Sequence, residues 1–394
     1  IPDLPDLATI ITTGPARAPV LAFDDMIATP CDGFTARATA ADDPAVMIYT
    51  SGTTGDPKGV LHAHRFLLGH LPCMELSQSG FPRHGDIGWT PADWAWIGGL
   101  MDMALPCLYY GVPLVAHRAA KFDPDAAFHL MAAERVSNAF IPPTALRLMR
   151  QAQVPQTLRL RAIGSGGEAL GADLIDWAQD RLGGCMINEF YGQTEANLVL
   201  AACTGPMPRI PGAMGLPVPG HDVCLRDNNG PVGQGAVGEI CVRAPDEVMV
   251  LRYWNKPQAT AEKIVDGWLR TGDLATQDAS GQFTFHGRDD DVITSAGYRI
   301  GPVEIEQALA THPDVVMAAV VGQPDPIRTE IVVAHVVLRA GVDGADWPGL
   351  ELALQHLVRE KVSAHCVPRR ILRAETLPMT ATGKIMRRAL RAQG

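Results

Sequence analysis

Several features are missing from this 394-residue sequence, and each absence removes a class of function. No CxxC pair occurs among its eight cysteines, which are scattered at positions 31, 73, 107, 185, 203, 224, 241 and 366. A chain of this length needs no disulfide frame, so reduced thiols in a cytoplasmic protein are expected. No apolar run is long enough to span a bilayer, and neither a signal peptide nor stable membrane insertion is expected. Lysine and arginine never gather into a block, and 33 basic against 43 acidic residues leave a net charge of −10. That balance argues against nucleic acid and against a polybasic membrane patch, while leaving room for a small anion bound locally. The first residue is Ile1, so a processed, cloned or fragmentary N-terminus is expected.

What is present is ordinary globular material: 47% hydrophobic and 19% charged residues, enough for a large core and two or three domains. Residues 1–44, rich in Pro, Ala and Asp, read mostly as loop. From Ala45 to about Cys203, strand-like runs alternate with amphipathic stretches: AVMIYT then AHRFLLGHL, PLVAH then DPDAAFHLMAAERV, AFIPP then TALRLMRQAQ, RAIGSGG then ADLIDWAQDRLG. Such alternation predicts α/β layers around a largely parallel sheet. From about Gly205 to His286 turn signals multiply between short strands, and DNNG after DVCLR predicts a hairpin. A β-rich subdomain over 205–286 is expected within a large domain of 1–289. After GRDDD, a helix–strand–strand–helix–strand pattern predicts a small α+β domain over 290–394.

The stretch TSGTTGDPKGV (50–60) has the makings of a phosphate loop. Gly52, Gly55 and Gly59 let backbone N–H groups approach anionic oxygens, Ser51, Thr53 and Thr54 offer hydroxyls, and Lys58 adds charge. The Ser or Thr that holds Mg²⁺ after the lysine of a Walker loop is absent, because Gly59 stands there. Taken alone, the loop supports phosphate binding and a flexible turn about equally.

Downstream follow GSGGE (164–168), YGQTE (191–195), TGD (271–273), GRDDD (287–291), SAGYRIGP (295–302) and PMTATGK (378–384). In this order the set resembles the adenylate-forming superfamily of acyl-CoA synthetases, peptide-synthetase adenylation domains and luciferases, from about residue 45 to the C-terminus. The resemblance implies ATP, CoA, Mg²⁺ and a small carboxylate as ligands. It implies that Thr50 to Gly59 wraps the departing phosphates, that Gly166, Gly167 and Glu168 line an adenine slot, and that Tyr191 stacks on the base. Thr194 would bond the α-phosphate and Glu195 would hold Mg²⁺. Asp273 would take the ribose hydroxyls, and Arg288 would reach ribose or phosphate. Lys384 would bridge carboxylate and α-phosphate, two anions that otherwise repel. Ser295, Gly297, Tyr298 and Arg299 would line a pantetheine tunnel, and Asp290 would be the hinge of a mobile C-terminal domain.

Acetyl-CoA synthetases carry tryptophan where this chain has Gly192, so an open pocket for an acid longer than acetate is expected. The segment GWTPADWAWIGGLMD (88–102) resembles the medium-chain group and puts Trp89, Trp94 and Trp96 near the acyl chain, although core packing explains them equally well. The implied reaction is carboxylate, ATP and CoA to acyl-CoA, AMP and pyrophosphate, on a short- to medium-chain, branched or aromatic acid. The alternatives are a ligase loading a carrier protein and a non-catalytic nucleotide-binding fragment. A DNA-binding basic helix is a poor third. Family members carry a longer section before the phosphate loop, so part of the large domain is expected to be missing here. A homo-oligomer is compatible with the resemblance, as are an acetyltransferase and deacetylase acting at Lys384.

Overall fold

The computed structural model describes residues 7–31, 33–50, 57–203, 205, 207–210, 212–339, 341–342, 347–379 and 385–392, with the side chains of Ala172 and Arg299 set aside. Two compact units divide the chain, Ile1–Ala40 and Ala41–Gly394. In the first, the two-residue strands Ile11–Thr12 and Leu21–Ala22 pair in parallel, and the short helix Phe23–Ala28 buries none of its residues.

The second unit begins with an antiparallel hairpin, β1 (Pro44–Thr50) and β2 (Lys58–Ala63), followed by helix α1 (Arg65–Ser77). Strand β2 was not expected from the sequence. Its KGVLHA run is buried on both faces, and a continuous apolar run cannot be told from a helix by its period. Next comes a six-stranded sheet of β3 (Gly88–Trp89), β4 (Asn138–Phe140), β5 (Ala162–Gly166), β6 (Met186–Gln193), β7 (Ala196–Ala202) and β8 (Leu216–Pro217). The order across the sheet is β8-β7-β6-β5-β4-β3, with β3 to β6 parallel and β7 and β8 antiparallel. Helices α2 (Pro124–Ala133), α3 (Pro143–Met149) and α4 (Ala172–Arg181) make the crossovers. Every residue of β4 and β5 is buried, as parallel strands covered on both faces require. The expected strand PLVAH is reduced to one bridge between Leu114 and Gly88, since Pro113 has no N–H to give a ladder and most of the segment is exposed.

A second, antiparallel sheet contains β9 (Val223–Asp227), β10 (Gly230–Pro231), β11 (Gly238–Arg243), β13 (Ile264–Val265), β14 (Trp268–Gln277) and β15 (Phe283–Arg288). The DNNG turn closes the β9–β10 hairpin, with Asp227 opposite Gly230. Between β11 and β13, the short strand β12 (Arg252–Tyr253) leaves this sheet to pair with β2, and helix α5 (Pro257–Lys263) follows it. One hydrophobic core joins Val60 and Phe66 to Ile240, Val242, Leu269 and Phe283, locking the hairpin onto the second sheet.

The last hundred residues form a five-stranded sheet. β16 (Ile293–Ser295), β17 (Tyr298–Ile300), β18 (Val315–Asp325) and β19 (Thr329–Leu338) run in the order β17-β16-β19-β18, with β20 (Arg370–Ala374) parallel to β19. Helix α6 (Pro302–Ala310) starts on Pro302 at its first turn and buries Val303, Ile305, Ala308 and Leu309. Together with α7 (Trp347–Lys361), it closes a core of its own around Val320, Val336 and Leu354. A final short helix, α8 (Arg387–Arg391), lies just beyond the ATGK loop.

Candidate active site

The motif YGQTE is the end of one strand and the tip of a turn. Gln193 pairs with Ala196, so Thr194 and Glu195 are the two turn residues that join β6 to β7. Both are clamped through their backbones. The Thr194 carbonyl is hydrogen-bonded to His62 Nε2 at 2.8 Å, and the Glu195 carbonyl accepts from the Val250 N–H at 2.8 Å. Their side chains are thereby left to project from a fixed frame. The Tyr253 hydroxyl donates to Glu195 Oε1 at 2.6 Å, and burial followed by this carboxylate holds the phenol far above its usual pKa. Lys58 stands 5.0 Å from the centre of the Tyr253 ring, which brings the phosphate loop's lysine beside Glu195. Thr50 and Lys58 pair across β1 and β2, closing the base of that loop. Ser51, Gly52, Thr53, Thr54 and Gly55 lie outside the described residues.

Asp273 is the hub of a second group. It is buried on β14 and accepts from the Tyr191 hydroxyl at 2.6 Å, from Gln193 Nε2 at 3.3 Å and from Arg288 Nη1 at 3.5 Å. Arg288 sits directly opposite on β15 and also bonds Asp290 at 3.0 Å. Burial opposes its charge, but Asp273 and Asp290 outweigh burial and raise its pKa. Lys263, at the end of α5, donates to Gln193 Oε1 at 2.6 Å and to the Thr271 carbonyl at 3.3 Å. Burial lowers its pKa, against the pull of Glu195 and Asp273. The residues expected to handle ribose, base and α-phosphate therefore meet in one place.

The glycines of GSGGE have a packing reason that the motif did not reveal. A Cβ on Gly166 would fall 2.5 Å from the Phe190 ring of the next strand. Glu168 accepts from Thr144 at 2.8 Å and from Arg147 at 3.0 Å, both on α3. Gly192 is constrained more tightly still: a Cβ there would meet the Leu198 backbone nitrogen at 2.3 Å. Its smallness serves the β6–β7 contact first, before any pocket floor.

A cavity is lined by Gly166, Gly167, Gly192, Gln193 and Thr194 together with Trp96, Ile97, Phe140, Phe190, Asp102 and Asn197. Of the three tryptophans expected around an acyl group, only Trp96 lines it. Trp89 is buried in the core of the parallel sheet with Phe128 and Met131, and Trp94 is 39% exposed.

In the C-terminal sheet, Ser295 is buried, Gly297 has φ +85° with open space around it, and Tyr298 stacks on His365 at 4.3 Å. The Arg299 side chain and Lys384 lie outside the described residues. Flanking Lys384, Met379 and Ile385 form an antiparallel bridge, and α8 follows. Two arginines of α8 are paired with acidic side chains. Arg387 is bound to Glu306 at 2.7 Å and Asp291 at 3.3 Å, and Arg391 to Asp291 at 2.8 Å. Asp290 lies in the single turn Asp289–Asp291 that leads out of β15.

Two family models divide most of the chain, "AMP-binding enzyme" over residues 5–254 and "AMP-binding enzyme C-terminal domain" over residues 304–384. The chain belongs to the AMP-binding enzyme family. It is 34% identical over 385 residues to "Acyl-coenzyme A synthetase ACSM4, mitochondrial" of Mus musculus, covering 95% of this chain and 65% of that protein. It is 33% identical over 363 residues to an acetyl-coenzyme A synthetase of Bacillus subtilis, covering 89% of this chain and 61% of the relative. Among solved structures, an anthranilate CoA ligase, AuaEII, in complex with anthranoyl-AMP matches with a TM-score of 0.87 at 28% identity. That match covers 98% of this chain and 73% of the ligase. The α/β architecture of a large N-terminal and a small C-terminal domain is thus the one the motifs imply.

Sequence reasoning missed Tyr253, Lys263, Thr144, Arg147, Asp102 and Asn197. Asn197 stands two residues past YGQTE and Asp102 ends GWTPADWAWIGGLMD, so both could have been found there; the others belong to no motif.

Proposed function

We propose that the protein is an ATP-dependent acyl-CoA synthetase, with a large domain over 1–289 and a mobile C-terminal domain over 290–394. The observation that carries this reading is a cavity lined by Thr194, by Gly166 and Gly167 of GSGGE and by the rings of Trp96, Phe140 and Phe190, with its lining residue Gln193 hydrogen-bonded to Asp273. A carboxylate seated in that chamber attacks the α-phosphorus of ATP, and pyrophosphate leaves toward Lys58 and the loop 50–59. Asp273 orients the ribose, Tyr191 the base, Arg288 the ribose or phosphate, and Thr194 the α-phosphate. Lys384 brings the two anions together, and CoA thiol then displaces AMP along the Ser295–Arg299 loop, the domain turning about Asp290.

Among the described residues no group of three His, Cys, Asp or Glu side chains could hold a metal by itself. The donor set fits Mg²⁺ arriving on phosphate oxygens, with Glu195 as its one protein carboxylate and phosphates and water completing the shell. Eight free cysteines fit a reducing cytoplasm. Among the described residues no helix is long and apolar enough to cross a membrane.

For the acid, we favour a short- to medium-chain, branched or aromatic monocarboxylate, on the strength of the aromatic walls Trp96, Phe140 and Phe190. The test is ATP–pyrophosphate exchange across a panel of acids, then thioester formation with free CoA against a carrier protein. Acid-dependent exchange followed by consumption of free CoA is expected. ATP binding without exchange sinks the enzymatic reading, and acetate as clearly the best acid sinks the choice of substrate.

A further inference from the structure

Two polar side chains on the cavity lining have incomplete hydrogen bonds. Asp102, in the π-helical turn Leu100–Ala104, is 3% exposed, and Asn197, on β7, is 5% exposed. Both line the cavity. The protons in this network can be assigned. The His70 ring has Nδ1 at 2.8 Å from the Phe66 carbonyl, which can only accept, so Nδ1 carries the hydrogen. Nε2 therefore accepts, and its partner at 2.9 Å must be the amide nitrogen of Asn197. The second amide hydrogen goes to Asp102 Oδ1 at 2.7 Å.

Two atoms remain, Asn197 Oδ1 and Asp102 Oδ2, and neither has a hydrogen-bond partner among the described residues. Neither atom belongs to the buried side-chain atoms left bare inside the protein, and both residues line the cavity, so a bound molecule can reach them. Burial pushes the Asp102 carboxyl well above the usual carboxylate range, and its bond from Asn197 offsets only part of that. A neutral carboxyl offers an O–H donor, and the adjacent amide oxygen offers an acceptor. A donor and an acceptor on neighbouring, hydrogen-bonded side chains complement a group that does both.

We propose that Asp102 and Asn197 recognise a hydroxyl on the acyl chain, so that the preferred substrate is a hydroxy acid over its unsubstituted analogue. This rests on the acyl-CoA synthetase reading and narrows its substrate class. A site built to hydrogen-bond a hydroxyl discriminates strongly against the analogue lacking it, because its own polar groups are then left unpaired.

The experiment is acid-dependent ATP–pyrophosphate exchange by the purified protein on matched pairs. These are butanoate with its 3- and 4-hydroxy derivatives, and benzoate with its three hydroxy derivatives. A hydroxy acid preferred over its partner by about tenfold or more in kcat/KM is expected in at least one series. In Asn197→Leu and Asp102→Leu that preference should collapse toward unity. Asp102→Asn, closer in shape, guards against a folding defect and should narrow it too. Equal or better turnover of every plain acid by the unmodified protein overturns the proposal while leaving the synthetase reading intact. So does a parallel loss on both members of a pair in the variants, which marks the network as purely structural. Exchange with no acid at all overturns the synthetase reading, and this proposal with it.

Discussion

Arg387 anchors the segment that follows Lys384, and removing it tests whether that anchor matters. Its guanidinium donates to both oxygens of Glu306, at 2.7 and 2.9 Å, and to Asp291 at 3.3 Å. The three side chains are 20%, 13% and 14% exposed, so little water screens them. Arg387→Met keeps the aliphatic stem and deletes the charge, leaving the largely buried Glu306 without its cation while Asp291 keeps Arg391 at 2.8 Å. Breaking a buried pair from one side costs about 3–5 kcal/mol, because the partner is left charged and unpaired. The loss should depend on pH. Burial raises the Glu306 pKa, and Arg387 pulls it back. Without Arg387 only the Val320 N–H, at 2.8 Å, still opposes the rise. A carboxyl whose folded pKa lies above its unfolded value is favourable below the unfolded value and loses that contribution as pH climbs through the folded one. Destabilisation by Arg387→Met should therefore be smallest near pH 5 and largest above neutrality. Adding Glu306→Gln should recover part of it. Thermal unfolding from pH 5 to 8, in parallel with pyrophosphate exchange, reads both effects. A melting curve superimposable on the parent's, or a loss that is flat with pH, would refute the reasoning.

Three further outcomes are expected. Burial lifts the Glu189 carboxyl to about 7. Its favourable contribution is present below about pH 4.5 and fades as pH rises through 7, so Glu189→Gln should flatten the decline in melting temperature between pH 5 and 8. Gly192→Ala, which forces a Cβ to 2.3 Å from the Leu198 nitrogen, should cost about 1–3 kcal/mol or more in chemical unfolding; unchanged stability would show that β7 yields freely. Lys384→Ala should cut acid-dependent exchange about a hundredfold or more, yet still convert supplied acyl-adenylate and CoA to thioester. Loss of both half-reactions would contradict the role given to Lys384.

The ordered motifs made the family legible, and the reason is chemical: phosphate, ribose and metal demand particular residues in local clusters. Tyr191, Thr194, Glu195 and Asp273 could be read because each sits inside such a cluster. Tyr253 could not, since it reaches Glu195 from a two-residue strand 58 positions later. Lys263 is equally remote from Gln193, 70 positions away. Composition likewise could not separate the tryptophans. Trp89 and Trp96 are seven residues apart, yet one is fixed in the parallel sheet's core and the other turns to the cavity. The parallel sheet announced itself through its buried strands, whereas KGVLHA was obscured by the glycine-rich loop before it.

The tight seat of Gly192 against β7 bears on how this chamber can change its guest. Position 192 looks like a gate for chain length, but there is no room behind it, and a bulkier residue must first displace a strand in the middle of a six-stranded sheet. Trp96 lies outside that sheet, in extended backbone that caps the short helical turns Ile97–Ala104. Diversification, by selection or by design, therefore has one cheap direction. Substitutions at the half-buried Trp96 can reshape the chamber without moving the β6–β7 turn of Thr194 and Glu195, whereas Gly98 and Gly99 beside it leave no room for a side chain.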